Sequence, residues 1–269
     1  MSQIKIVRIH NELLGTYGDQ GNAEVLAFRA KFHGITTTIV DVNYNDPLPT
    51  NGDIYLLGGA EDAAQLLSLE ALRRDDNLEV LNLAIERGAV ILAVCAGFQI
   101  IGNKFWANGQ EVDGLGLLDV VSMPGDKRLV GDIKTISTVL GFELTGFENH
   151  MGRTILGPTA EAFGRVVTGH GNGDSKFDGA VYGNIFGTYM HGPILARNPE
   201  FADLLLTRAT GRKYAQITDP LAAKYVYWAY FFQNNKFQYF TCIFKKHFRT
   251  IDMNLIFIKC WTTTKFCPP

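Results

Sequence analysis

The chain has 269 residues, a net charge of −2 and an apolar content of 46%, which suffices for one large domain or two small ones around a sizeable core. No long basic run occurs before the last fifty residues, which argues against nucleic acid as the main partner. No apolar run reaches the length of a membrane span, the N-terminus lacks the pattern of a signal peptide, and the four cysteines form no disulfide-like framework, so a cytoplasmic location is expected.

In chain order, residues 4–9 alternate apolar and polar and read as a first strand. Residues 13–21 are a polar, Gly-rich loop containing Tyr17-Gly18-Asp19-Gln20-Gly21. Val25, Leu26 and Phe32 predict a helix over residues 22–33, with Gly34 as its stop. Thr36–Val42 is β-branched and strand-like, and Ile54–Leu57 is a third strand ending in Gly58-Gly59. Two helices follow, around residues 63–72 and 78–87. The next stretch, residues 90–102, passes from a buried strand through a tight turn at Cys95 directly into a helix, with Phe98, Ile101 and Phe105 at helical spacing. Strands alternating with helices predict a parallel α/β sheet. After Trp106 the glycines become frequent between short strand-like runs at residues 117–122, 140–144 and 165–168, which predicts a mixed or antiparallel extension of the same domain. Residues 185–190 are another strand ending at His191, and Asn198-Pro199 caps a helix carrying Phe201, Leu204, Leu205 and Leu206, closed by Gly211.

The composition changes abruptly near the end. Residues 224–269 contain no Gly and no Glu, three of the four cysteines, and 14 of the 31 aromatic residues. Asp219-Pro220 opens a helix that this stretch overwrites after one turn. The expected organisation is therefore a catalytic domain over residues 1–223 and an aromatic-rich tail over 224–269 that is not native coding sequence.

Chemistry centres on Cys95. A free cysteine is often a small core hydrophobe, but Ala93, Ala96 and Gly97 bracket this one as in a strand–nucleophile–helix elbow. At a helix N-terminus, unpaired N–H groups and the dipole favour the thiolate. A cysteine nucleophile needs a base. Among six histidines, His191 stands at the carboxyl end of a strand, as Cys95 does, and sites of open α/β sheets gather there. His150 and His170 are the alternatives. Backbone donors for an oxyanion would come from Gly58, Gly59 and Ala96. No phosphate-cradling Gly-Lys loop and no metal-ligand spacing occurs.

Three stretches, Cys95-Ala-Gly-Phe-Gln99, Gly58-Gly-Ala-Glu-Asp62-Ala-Ala-Gln65 and Thr188-Tyr-Met-His191-Gly192, together resemble the class I glutamine amidotransferases, and in particular the branch related to cobyric acid synthase. Thr16-Tyr17-Gly18-Asp19-Gln20-Gly21-Asn22 and Glu148-Asn-His150-Met-Gly152-Arg153-Thr154 are similar to the GatD family of glutaminase subunits of lipid II isoglutaminyl synthase. The resemblance covers about residues 4–223. It implies a flavodoxin-like α/β fold and hydrolysis of L-glutamine through a thioester on Cys95, with His191 as general base and then acid. It further implies Arg128 and Gln99 as substrate-binding residues and a heterodimer with a MurT-like Mur ligase acting on lipid II. No cofactor is implied on this chain, with ATP and Mg on the partner, for which the chain leaves no ATPase module ahead of residue 4. Two positions depart from the pattern: Ala60 replaces a third glycine, and Pro193 stands where the wider class has the Glu that orients the histidine. The orienting group is therefore open between a backbone carbonyl and another carboxylate. The rival readings are a corrinoid-type acceptor, a thiol hydrolase acting alone, and a catalytically dead binding module.

Overall fold

The two runs that are apolar throughout, Ile54–Leu57 and Val90–Val94, lie side by side in the middle of a sheet with every residue buried. Strands covered on both faces have no solvent face to mark, so their sequence does not alternate. The computed structural model describes residues 3–174 and 176–214. Its first half runs β1 (Gln3–Ile9), α1 (Asn11–Leu14), α2 (Gly21–Phe32), β2 (Thr36–Val42), β3 (Ile54–Leu57), α3 (Asp62–Arg73), α4 (Asn77–Glu86), β4 (Val90–Val94) and α5 (Ala96–Ile101). Then come β5 (Lys104–Ala107), β6 (Gln110–Asp113), β7 (Val120–Ser137), β8 (Glu143–Leu156), β9 (Gly164–Thr168) and β10 (Phe177–Asp178). The described chain closes with β11 (Ala180–Tyr182), β12 (Ile185–Thr188), α6 (Ile194–Arg197) and α7 (Pro199–Thr210).

The first sheet has the order β11-β12-β4-β3-β1-β2, parallel except for the β11–β12 hairpin. The second has the order β10-β9-β7-β5-β6, with β8 paired to β7. It is antiparallel except for the β5–β7 contact. A single apolar core extends from Ile4 to Leu206 and includes residues of both sheets. This is the α/β architecture with a mixed extension that the sequence predicts. No helix among the described residues is long and apolar enough to cross a membrane.

Several local expectations need correction. Of residues 140–144 only Glu143 and Leu144 are strand, as the start of β8. Ser137 Oγ accepts from the N–H groups of Val139 and Leu140, Gly141 takes φ +76, and the chain turns there before β8 begins at Glu143. The run at 117–122 is the front of β7, which starts at Val120 and continues to Ser137. Its pairing with β8 shifts register between Pro124 and Leu129, where Pro124 has no N–H to give the ladder. The helix after Cys95 ends at Ile101, and Phe105 belongs to β5 instead, because Gly102 turns extended and the chain starts the second sheet. The loop after β1 includes the short helix α1, and β12 stops at Thr188 rather than Met190. The tail over 224–269 and the helix start at Asp219-Pro220 lie outside the described residues.

Candidate active site

Five parallel strands of the first sheet run the same way, and Gly58, Cys95 and His191 follow the ends of β3, β4 and β12. Cys95 follows β4 with φ 55 and ψ −105, a conformation that L residues rarely adopt. Such strain persists only where the surroundings impose it. Here the Cys95 N–H donates to Thr188 O at 2.9 Å, and the Gly97 N–H donates to Gly58 O at 3.0 Å. A Cβ at Gly97 would stand 2.7 Å from Leu57 Cβ, so only glycine lets α5 approach the end of β3. Cys95 is a free, buried thiol, its Sγ 4.0 Å from the carbonyl oxygen of Asn149.

His191 follows β12. Its backbone exchanges two hydrogen bonds with Phe147 of β8, at 2.8 and 3.1 Å, so the second sheet holds the histidine in place. Its Nδ1–H donates to Asp19 Oδ2 at 2.8 Å, and both side chains are buried. Asp19 lies between α1 and α2, 172 residues away in sequence. It is the carboxylate that orients His191 where the wider class has a Glu after the histidine. The sequence carried only a weak signal for it, an acid in the Gly-rich stretch after the first strand. Burial disfavours charge on His191, but the Asp19 carboxylate and the neighbouring Cys95 sulfur outweigh it, and the imidazole pKa is pushed up to about 10. The ring of Tyr17 rests against that of His191, centroids 4.7 Å apart.

The alternative histidines have other duties. His150 donates from Nδ1 to Gly152 O at 2.9 Å, stacks on Tyr189 at 3.7 Å, and burial lowers its pKa. His170 holds the buried carboxylate of Glu148 through its backbone N–H and its Nδ1–H, each 2.9 Å from Oε1. Burial would raise the Glu148 pKa, but hydrogen bonds from the histidines and from the His170 and Gly171 N–H groups bring it below the usual range.

The remaining predicted residues divide. Arg128, on β7, reaches the cleft: its Nη1 donates to Asn149 Oδ1 at 2.8 Å, and its Nη2 lies 3.2 Å from Glu61 Oε2. Gln99 is instead committed to a polar network, accepting from Gln65 Nε2 at 2.8 Å and donating to Tyr189 Oη at 3.1 Å. Gly59 departs from the oxyanion expectation: its N–H donates to Asp19 Oδ2 at 3.1 Å and is already spent. Its bare α-carbon serves packing instead, since a Cβ there would stand 2.6 Å from His191 Cε1. Ala96 opens α5, so its N–H has no carbonyl within the helix to bind. Among the described residues, no group of three or more His, Cys, Asp or Glu is placed to hold a metal ion.

A cysteine on a strained strand–helix turn, faced by a histidine on a buried carboxylate, defines with this sheet the class I glutamine amidotransferase architecture. Solved structures agree on the fold. PurLQS from Thermotoga maritima matches with a TM-score of 0.52 at 16% identity, covering 84% of this chain and 98% of that one. A solved glutamine amidotransferase matches with a TM-score of 0.53 at 15% identity, covering 77% and 99%.

Sequence comparison is narrower: the pattern of the CobB/CobQ-like glutamine amidotransferase domain matches residues 5–199, and the chain belongs to that family of enzymes. It is 36% identical over 218 residues to the lipid II isoglutaminyl synthase (glutamine-hydrolyzing) subunit GatD of Streptococcus pneumoniae, covering 80% of this chain and 83% of that protein. To the subunit of the same name from Staphylococcus aureus it is 38% identical over 216 residues, covering 79% and 87%. The cobyric acid synthase of Brucella abortus is 32% identical over 162 residues, which is 57% of this chain and 32% of that protein.

Proposed function

We propose that this chain is the cytoplasmic glutamine-hydrolysing subunit of a lipid II isoglutaminyl synthase. The observation that carries the reading is the Cys95, His191 and Asp19 arrangement, joined to GatD subunits as relatives over four-fifths of the chain. His191 takes the thiol proton of Cys95, and the sulfur attacks the γ-carbonyl carbon of glutamine as the carbonyl electron pair moves onto oxygen. The Ala96 N–H and the turn at Gly58 receive that oxyanion, since the Gly59 N–H is engaged. With its pKa pushed up to about 10, His191 keeps that proton at neutral pH and gives it to the departing nitrogen as the oxyanion collapses and the C–N bond breaks. Ammonia leaves and a γ-glutamyl thioester remains. Water then attacks the thioester, His191 takes its proton, the C–S bond breaks, and glutamate departs.

The ammonia acceptor lies on a partner, a MurT-like Mur ligase that supplies ATP and Mg and amidates the D-glutamate of lipid II. This chain needs no cofactor of its own in that scheme. The test is co-expression of the two chains, supplied with lipid II, ATP, Mg and glutamine. Amidated lipid II is the expected product. Cys95→Ala abolishes it with glutamine as nitrogen source and leaves it intact with added ammonium salt. Amidation from glutamine that survives Cys95→Ala removes the donor assignment, and a corrinoid amidated in place of lipid II redirects the acceptor.

A further inference from the structure

The rim of the Cys95 cleft carries two opposite charges whose pairing stability does not explain. Arg128 Nη2 and Glu61 Oε2 are 3.2 Å apart, with their side chains 42% and 61% exposed. An ion pair so exposed adds little to the fold. Yet both groups are held in place. Glu61, the residue before α3, accepts a 2.5 Å hydrogen bond from Tyr17 Oη, and the Tyr17 ring lies on His191. Arg128 donates to the side chain of Asn149, whose carbonyl oxygen faces Cys95 Sγ. The contacts thus form a circuit from the sulfur through Asn149, Arg128, Glu61 and Tyr17 to the histidine. A guanidinium and a carboxylate stand side by side on it, one contact away from the residues that touch the nucleophile and the histidine. The hydrogen bond from Tyr17 holds the Glu61 pKa below its ordinary value, so the carboxylate is charged at neutral pH.

We propose that Glu61 binds the α-ammonium group of the amino-acid substrate while Arg128 binds its α-carboxylate. The proposal rests on the glutaminase reading of this site. A free α-amino acid carries both charges on one carbon, so the two ends of the resting ion pair each exchange their partner for a substrate group of the same sign. No charge is left uncompensated in either state. A glutamine within a peptide has neither charge at that carbon and leaves Arg128 and Glu61 unserved, so the pair selects free glutamine. Glu61 is therefore a specificity-determining residue, distinct from the groups that do the chemistry.

The experiment compares ammonia release by the full chain, in complex with its ligase, from L-glutamine and from 4-carbamoylbutanoate, which is glutamine without the α-amino group. The wild type is expected to prefer glutamine by about ten- to hundredfold in kcat/KM, the value of one charge-assisted bond. Glu61→Gln keeps an acceptor for Tyr17 and removes the charge. It is expected to raise KM for glutamine, leave the analogue unchanged and so erase the preference. Arg128→Gln is expected to weaken both substrates alike, because both carry the carboxylate. An equal loss on both substrates with Glu61→Gln overturns the proposal, as does no change. A lowered KM for glutamine also overturns it and makes Glu61 a competitor for Arg128. A wild type that releases no ammonia from glutamine removes the glutaminase reading itself, which is a separate outcome.

Discussion

With Nδ1–H committed to Asp19, the imidazole of His191 is left with Nε2 as its exchanging nitrogen, and that atom is buried without another hydrogen-bond partner among the described residues. The carboxylate thus sets the tautomer and stabilises the protonated ring, the part played by the orienting acid of a catalytic triad. Asp19→Asn keeps the size and removes the charge. Burial then acts on His191 unopposed by Asp19, so its pKa falls from about 10. The expected result is a fall in kcat of about 10²–10⁴-fold, with the alkaline limb of the pH–rate profile moving toward neutral. A pH series of ammonia release on both proteins checks it. The same linkage has a sign for stability. A histidine whose folded pKa is raised from 6.5 to about 10 contributes stability in full below its unfolded value, and that contribution is lost as pH rises through about 10. Unfolding midpoints between pH 6 and 10 are accordingly expected to fall less in Asp19→Asn than in the wild type.

At the level of elements, the site depends on α5 sitting hard against the end of β3. The Gly97 N–H donates to Gly58 O, and a Cβ at position 97 would meet Leu57 Cβ at 2.7 Å, Leu57 O at 3.0 Å and Gly58 O at 3.1 Å. Two of these are backbone atoms of a buried strand end and its turn, which cannot move aside as a flexible side chain would. Gly97→Ala is therefore expected to push α5 outward, at a stability cost of about 1–3 kcal/mol read from the urea midpoint. Because Cys95 and Ala96 ride on the same turn, ammonia release falls in kcat as well. Wild-type kinetics in a destabilised Gly97→Ala protein would show that the elbow tolerates displacement. The second sheet has a comparable role through β8, where Phe147 pairs with His191 and Asn149 lies against Cys95 and Arg128. What reads as an extension of the domain is one wall of the cleft.

On the scale of the whole molecule, the described residues supply two sheets, a core from Ile4 to Leu206 and the Cys95, His191 and Asp19 site. The composition break at residue 224 falls after all of these. Cutting the chain after Ala223 is expected to leave ammonia release intact and to raise solubility or leave it unchanged, since a segment that carries 14 of the 31 aromatic residues favours association wherever those rings meet solvent. Soluble yield, light scattering and glutaminase rate check the prediction. A truncated chain that fails to fold would assign the segment, or the helix begun at Pro220, to the core.

Much of the architecture was legible locally. The all-apolar runs of β3 and β4, the alternation of β1 and the Pro and Gly bounding α7 each record how one stretch meets solvent or ends a helix, and such signals need no distant partner. Cys95 was readable for the same reason, because the elbow is built from its immediate neighbours. Residues 140–144 read as one strand because Leu140, Phe142 and Leu144 alternate, but Ser137 and Gly141 bind and bend the chain there, and only Glu143 and Leu144 enter β8. Asp19, Glu61 and Tyr17 could not be assigned from their own surroundings. Their meaning comes from His191 and Arg128, brought to them from 172 and 67 residues away. Gly59 shows the limit most plainly: a glycine after a strand reads equally as an oxyanion donor or a close approach, and only the position of the Asp19 carboxylate decides where its N–H is spent. Elements and nucleophile follow from neighbours in sequence, whereas the charge partners of a site follow from neighbours in space, which only the folded chain supplies.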